Sequence, residues 1–236
     1  MKSDFTYKKL EEYYTSALSK GYKFLTCYDY YLKKASISHP VIINRVDIDF
    51  SVKKAKKILE IFNKLDIKGT FFIRLHAPEY NPFSFENYNI IKSIISSGHE
   101  IGYHSEIIDQ SEIWSEDAAN CLIRDIKVIN NMFDIDIKGI ASHGGSTGLN
   151  NLDFWKSHSP HEFNIAYEAY EDSESFDLFN NSFYISDSEW THWKCYDNGK
   201  LCKGDFSTLG EHLKNEHNKI YLLIHSDTYY HEHFYE

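Results

Sequence analysis

Apolar positions along the chain change period at regular intervals. Residues 41–50, VIINRVDIDF, open on a β-branched apolar run and turn acidic only at the C-terminal end, the pattern of a buried strand. Residues 52–65 then place Ala55, Ile58, Leu59, Phe62 and Leu65 on one helical face with lysines opposite. The alternation repeats. Residues 69–73 read as a strand and 87–96 as a helix with its isoleucines inward; 99–104 is again a strand, and Ser115 is expected to cap a helix that buries Ala118, Leu122, Ile126, Ile129 and Phe133. Further strands are expected at 137–142, 163–167, 182–186 and 219–225, with helical pieces at 5–19 and 28–34 before the first of them. Residues 168–181 are acidic and weakly patterned, an irregular excursion.

Strands alternating with helices predict a parallel α/β sheet or barrel. No linker-like shift in composition interrupts the pattern. The expectation is one domain over 1–236, with a helical extension at 1–40 and the barrel at 41–236. The length of 236 residues suits an α/β barrel as a single unit.

Composition narrows the function classes. Twenty-five Lys+Arg against 35 Asp+Glu give a formal net charge of −10, which argues against nucleic acid as a partner, since that needs a basic face. No run approaches the length of a membrane span, and the N-terminus lacks the apolar core of a signal peptide, so the expected location is the cytoplasm. The four cysteines, Cys27, Cys121, Cys195 and Cys202, form no CxxC pair, so spacing gives no support to a thiolate zinc site. The glycine-rich HGGSTG (143–148) lacks the lysine of a phosphate-binding loop, and no G-x-S-x-G elbow is present.

In parallel α/β folds the chemistry collects where strands end. Asp47 and Asp49 end the first long strand and His104 ends the third; His143 follows the fourth, Asp187 follows a later one, and His225 ends the last. Carboxylates and imidazoles converging on one mouth suit a divalent cation, zinc above all, with nickel or cobalt as alternatives. The i, i+2 spacing of Asp47 and Asp49 puts both on one side of a strand, one for metal and one for substrate. His39, His99, His158, His161, His192, His212 and His217 read as surface or structural, as does the His-Glu-His tract at 231–233.

Four stretches in this order, RVDID (45–49), GTFF (69–72), GHEIGYHSE (98–106) and LLIHSD (222–227), resemble the polysaccharide deacetylase family, the NodB-homology domain of carbohydrate esterase family 4. The resemblance runs from about Val41 to Tyr229 and implies a distorted (β/α) barrel of about seven strands. It implies Asp47 as general base, Asp49 and His104 as metal ligands, and His225 as general acid with Asp187 orienting it. Trp190 would wall the substrate pocket, and Tyr103 is a further candidate to stack on sugar, with Trp193 and Tyr229 beside it. The implied substrate is an N-acetylated amino sugar, small or oligomeric, in a surface-polysaccharide or glycan-precursor pathway; the oligomeric state is left open.

The sequence departs from the family at three places. Val46 stands where this branch usually has histidine, and Ile108 stands at the family's second histidine ligand. The usual Arg-x-Pro motif, which positions the base, is replaced by Ser142-His143-Gly144. The third ligand is therefore expected at His143, with Glu106 and Asp109 as alternatives. Two other readings follow from the departures: a non-catalytic glycan- or protein-binding module on the same scaffold, or a hydrolase of another amide or a phosphoester.

Overall fold

In the computed structural model, which describes residues 4–232, the long apolar run forms the central strand of a mixed sheet. In chain order the first elements are α1 (Tyr7–Ser19), β1 (Lys23–Leu25), α2 (Cys27–Lys33), β2 (Val41–Ile48), α3 (Val52–Leu65), β3 (Thr70–Ile73), α4 (Phe85–Ser96) and β4 (Glu100–Ser105). There follow α5 (Ile107–Trp114), α6 (Ala118–Phe133), β5 (Gly139–Ser142), β6 (Tyr167–Glu168), β7 (Phe183–Ser186), β8 (Lys194–Asp197), β9 (Lys200–Leu201), α7 (Leu209–His212) and β10 (Lys219–His225). The strand order is β6-β5-β4-β3-β2-β10-β7-β8-β9; neighbours from β6 to β7 are parallel, and β8 and β9 form an antiparallel hairpin. The first forty residues supply β1 as well as helices, and β1 runs parallel to the first half of β2.

Alternation along the strands builds two cores. Ile42, Val46 and Ile48 of β2 face a core completed by α1, α3, α4 and α6. Val41 and Ile43 face the opposite way, with Phe72, Ala141, Tyr167, Tyr184 and Tyr221. The large rings on this second face set the glycines: a Cβ on Gly102 would lie 2.3 Å from the Phe72 ring, and one on Gly139 would lie 2.1 Å from Tyr167.

The expected barrel is not closed by backbone pairing. β6 is two residues long, and the irregular chain that follows fills the seam with Phe176 and Leu178 instead of strand. β6 and β7 are not paired in the sheet; across the gap the hydroxyls of Tyr170, just after β6, and Tyr184 of β7 lie 3.2 Å apart, and the hydroxyl of Tyr221 on β10 donates to the Ala169 carbonyl at 3.2 Å. Of the expected strand at 163–167 only Tyr167 is in a strand, β6; Phe163 ends a 3-10 turn, Pro160–Phe163, fixed by a Ser159–Glu162 capping box, and the residues between are irregular. Asp117, not Ser115, caps α6; Ser115 ends α5, a helix the periodicity did not predict. No helix among the described residues is long and apolar enough to cross a membrane. His233 of the His-Glu-His tract lies outside the described residues.

Candidate metal and acid–base site

The parallel register brings the strand ends together. His225 on β10 pairs with Asp47 on β2, and Asp47 pairs with Phe72 on β3. Because side chains alternate, Arg45, Asp47 and Asp49 leave β2 on one face, whereas Val46 enters the core under the helices. The Val46 departure is thus turned away from the carboxylates.

Asp47 is held by a residue that sequence reading passed over. Arg45 Nε and Nη2 donate to the two oxygens of Asp47 at 2.8 and 2.7 Å, and both residues are about 1% exposed. The guanidinium carbon lies 5.2 Å from the Phe72 ring centroid and 4.8 Å from that of Tyr170. Burial opposes ionisation of Asp47, but the charge of Arg45, and then that of His104, outweighs it and holds the carboxyl below its ordinary range. The signal was available in the i, i+2 spacing of Arg45 and Asp47 on one strand face.

The Nδ1 of His104 lies 2.8 Å from the Ala141 carbonyl oxygen, which can only accept, so Nδ1 carries a proton and Nε2 faces the carboxylates. That Nε2 is 3.2 Å from Asp47 and 3.3 Å from Asp49. Burial lowers the pKa of His104, but Asp47 and Asp49 outweigh it and raise it above the usual histidine value. Asp49 is held well below the usual carboxylate range: burial works against this, and the hydrogen bond and charge of His104 prevail.

His143 completes the cluster. Ligand atoms of Asp49, His104 and His143 lie within 4.8 Å of one another, and the rings of His104 and His143 meet edge-on at 5.0 Å. Burial, with the neighbouring cations His104 and Arg74, lowers the pKa of His143 and favours the neutral imidazole that a metal needs. Asp49 Oδ1 and His143 Nδ1 are buried, and their ion-pair neighbours stand at 3.3 Å (His104 Nε2) and 3.5 Å (Glu106 Oε1). Buried carboxylate and imidazole donor atoms converging on one point beside His104 Nε2 fit a divalent cation, so these three residues would hold one.

The two alternative ligands are committed elsewhere. Glu106 receives Arg74 Nε and Nη2 at 3.2 and 2.6 Å, with Arg74 also bonding the Asp49 carbonyl. Asp109 accepts from Ser146 N, Thr147 N, Thr147 Oγ1 and Asn151 Nδ2. It thereby organises the glycine-rich loop, and Asn151 passes this order on by donating to the His143 carbonyl at 3.1 Å. Ile108, at the position of the family's other histidine, packs against the core and gives its N–H to Asn151.

On the opposite side, Asp187 is fully buried and lies 2.6 Å from His225 Nδ1, while also accepting the His225 N–H at 3.0 Å. Burial pushes the pKa of His225 down, but Asp187, with Asp49 and Asp47 behind it, raises it to about 9. The other ring nitrogen lies 3.9 Å from Asp49. Trp190 stands 5.8 Å from the His225 ring and 5.6 Å from Phe50, and both aromatics are about two-fifths exposed. Phe50, one residue beyond Asp49, was not expected at the rim.

The other aromatic candidates are displaced from the site. Tyr103 is fully buried on the helix-facing side of β4 and donates its hydroxyl to Asp125 of α6 at 2.7 Å, because it alternates with His104. Trp193 and Tyr229 are likewise buried, packed around Phe5.

No protein-family model matches the sequence, and no curated protein matches it. Among solved structures, the chain is similar to a Streptococcus pyogenes deacetylase, PplD, in complex with acetate, with a TM-score of 0.43 and 14% identity over 56% of this chain and 59% of that one. It is also similar to the chitin deacetylase of the fungal pathogen Colletotrichum lindemuthianum, with a TM-score of 0.35 and 18% identity over 45% of this chain and 47% of that one. The chain spans less than two thirds of the length of either.

Proposed function

We propose that this chain is a divalent-metal-dependent hydrolase that removes an N-acetyl group from an amino sugar. The observation that carries the reading is the pairing of two roles at one strand end. Asp49 and His143 present buried ligand atoms that converge beside His104, while Asp47, next to them, is held in its ionised form by Arg45.

Asp49, His104 and His143 would hold the cation, zinc by donor type, with nickel or cobalt able to replace it. When bound it supplies a Lewis acid that polarises a carbonyl and acidifies water. The chain's own groups do the rest. Asp47 stays ionised and takes the proton of the attacking water; its fork to Arg45 keeps the acceptor oxygens fixed. His225, protonated at neutral pH through Asp187, delivers a proton to the departing nitrogen. The two aspartates raise the proton affinity of His104, so metal binding there competes with a proton.

The amino-sugar part of the reading rests on the exposed faces of Trp190 and Phe50 beside His225, which offer flat apolar surface to a sugar ring. The test is acetate release from N-acetylated glucosamine oligomers by zinc-loaded wild type and by Asp47→Asn. Release by the wild type alone supports the assignment. A loaded wild type that frees no acetate from any acetylated amino sugar would overturn it and favour the binding-module reading.

A further inference from the structure

Away from the strand ends, the hairpin β8–β9 and helix α7 bring together a second set of soft and borderline ligands. Cys195 of β8 is fully buried, and its Sγ lies 3.3 Å from His212 Nε2 of α7. The same Nε2 lies 3.4 Å from Asp205 Oδ2. Asp205 comes from the irregular segment between them and is fixed by its other oxygen, which accepts the Ser207 N–H at 3.0 Å. The three ligand atoms lie within 4.8 Å of one another.

These separations can be compared with what a tetrahedral zinc demands. Bonds of about 2.3 Å to sulfur and about 2.0–2.1 Å to nitrogen and oxygen place neighbouring ligands about 3.6 Å apart for S and N, and about 3.3 Å for N and O. The observed 3.3 and 3.4 Å are close to both values. The hairpin also adds a second thiol. Cys202 N donates to the Cys195 carbonyl at 2.9 Å, continuing the register that pairs Tyr196 with Leu201, so the two cysteines are cross-strand partners with side chains on one face. Sequence spacing gave no CxxC signal because the pair is assembled across a turn and not within one.

We infer that Cys195, Asp205 and His212 form a second, structural metal site that takes zinc, with the Cys202 thiolate as fourth ligand. Cys202 Sγ now rests against the Lys200 carbonyl at 3.9 Å and reaches the ion by turning about its Cα–Cβ bond. Binding displaces one proton from each thiol to solvent, and the two thiolates with one carboxylate and one neutral imidazole then surround the cation. The ion would tie three pieces together: β8, the 202–208 segment, which lacks helix and strand, and α7. β8 directly follows the loop that carries Trp190, so the clamp fixes the C-terminal root of that loop.

Cobalt titration of the metal-stripped full chain separates this site from the first, which has no sulfur ligand. The expected result is a near-ultraviolet sulfur-to-cobalt charge-transfer band in wild type that persists in His104→Ala, where the first site is disabled and the band saturates at about one equivalent. The band should vanish in the Cys195→Ser/Cys202→Ser double variant, and His212→Gln should weaken cobalt binding at least about tenfold. Far-ultraviolet circular dichroism identifies any variant that has lost its fold, and His212→Gln with the wild-type spectrum keeps the test decisive. Absence of the band in wild type, or a band unchanged in folded His212→Gln, would show that Cys195 and His212 form only a hydrogen-bonded contact.

Discussion

The two ends of the sheet bury the same kinds of residue and use them differently. At the amino ends of the strands, the half-buried Glu100 carboxylate accepts from Tyr167 at 2.6 Å, Thr70 at 2.6 Å and the Tyr28 N–H at 3.0 Å, and Thr70 in turn accepts from Cys27 N. Both oxygens are occupied by neutral donors, and burial raises the pKa of Glu100. At the carboxyl ends, Asp47 is bound by a cation, Asp49 faces the imidazoles of His104 and His225 at 3.3 and 3.9 Å, and both carboxyls are held below their ordinary range. The carboxylate ringed by neutral donors closes a structure; the one facing imidazoles leaves a place for a ligand.

The sharpest way to break the contrast is Asp47→Asn. It should lower turnover by about 10²–10⁴-fold while metal content stays at the wild-type level, because Asp47 is not among the ligands. Equal loss of metal would move Asp47 into the ligand set. Next in size is Arg45→Met, which leaves Asp47 buried without its counter-charge and should cost about 3–5 kcal/mol in urea unfolding. A loss below about 1 kcal/mol would mean that the fork contributes little to holding the site.

A smaller effect is expected in the pH profile. The pKa of His225 is raised to about 9, so its proton is present below that pH and activity should fall as pH rises through it. Asp187→Asn removes the largest raising influence and should shift the alkaline limb to lower pH; a limb that does not move would assign it to another group. Smallest of all is Glu100→Gln at the opposite end. A neutral amide can serve much of the same network, so the expected change is about 1 kcal/mol or less, with metal content and activity unaltered.

How far these ends could be read from sequence differs in the same way. The strand ends carrying Asp47, Asp49, His104 and His225 were visible because ionisable groups interrupt apolar runs at the same relative position in several strands. Asp187 and Trp190, named beside His225 through the family resemblance, lie next to it in space. Tyr103 did not reach the site, because one residue along a strand reverses the face. Arg45 was missed although it lies two positions from Asp47, since its function depends on Phe72 and Tyr170, which are remote in sequence. The open seam was equally hidden: nothing in the acidic stretch 168–181 announces that Phe176 and Leu178 replace strand pairing. The cysteine pair across β8 and β9 became visible only when the hairpin was known.

The central claim is that Asp49, His104 and His143 hold a divalent cation, and elemental analysis of purified wild type and His143→Ala tests it most directly. The expected result is that the variant carries about one equivalent less zinc, nickel or cobalt per chain than wild type, with the fold intact by circular dichroism. Equal metal content in the two proteins would contradict the claim and remove His143 from the ligand set.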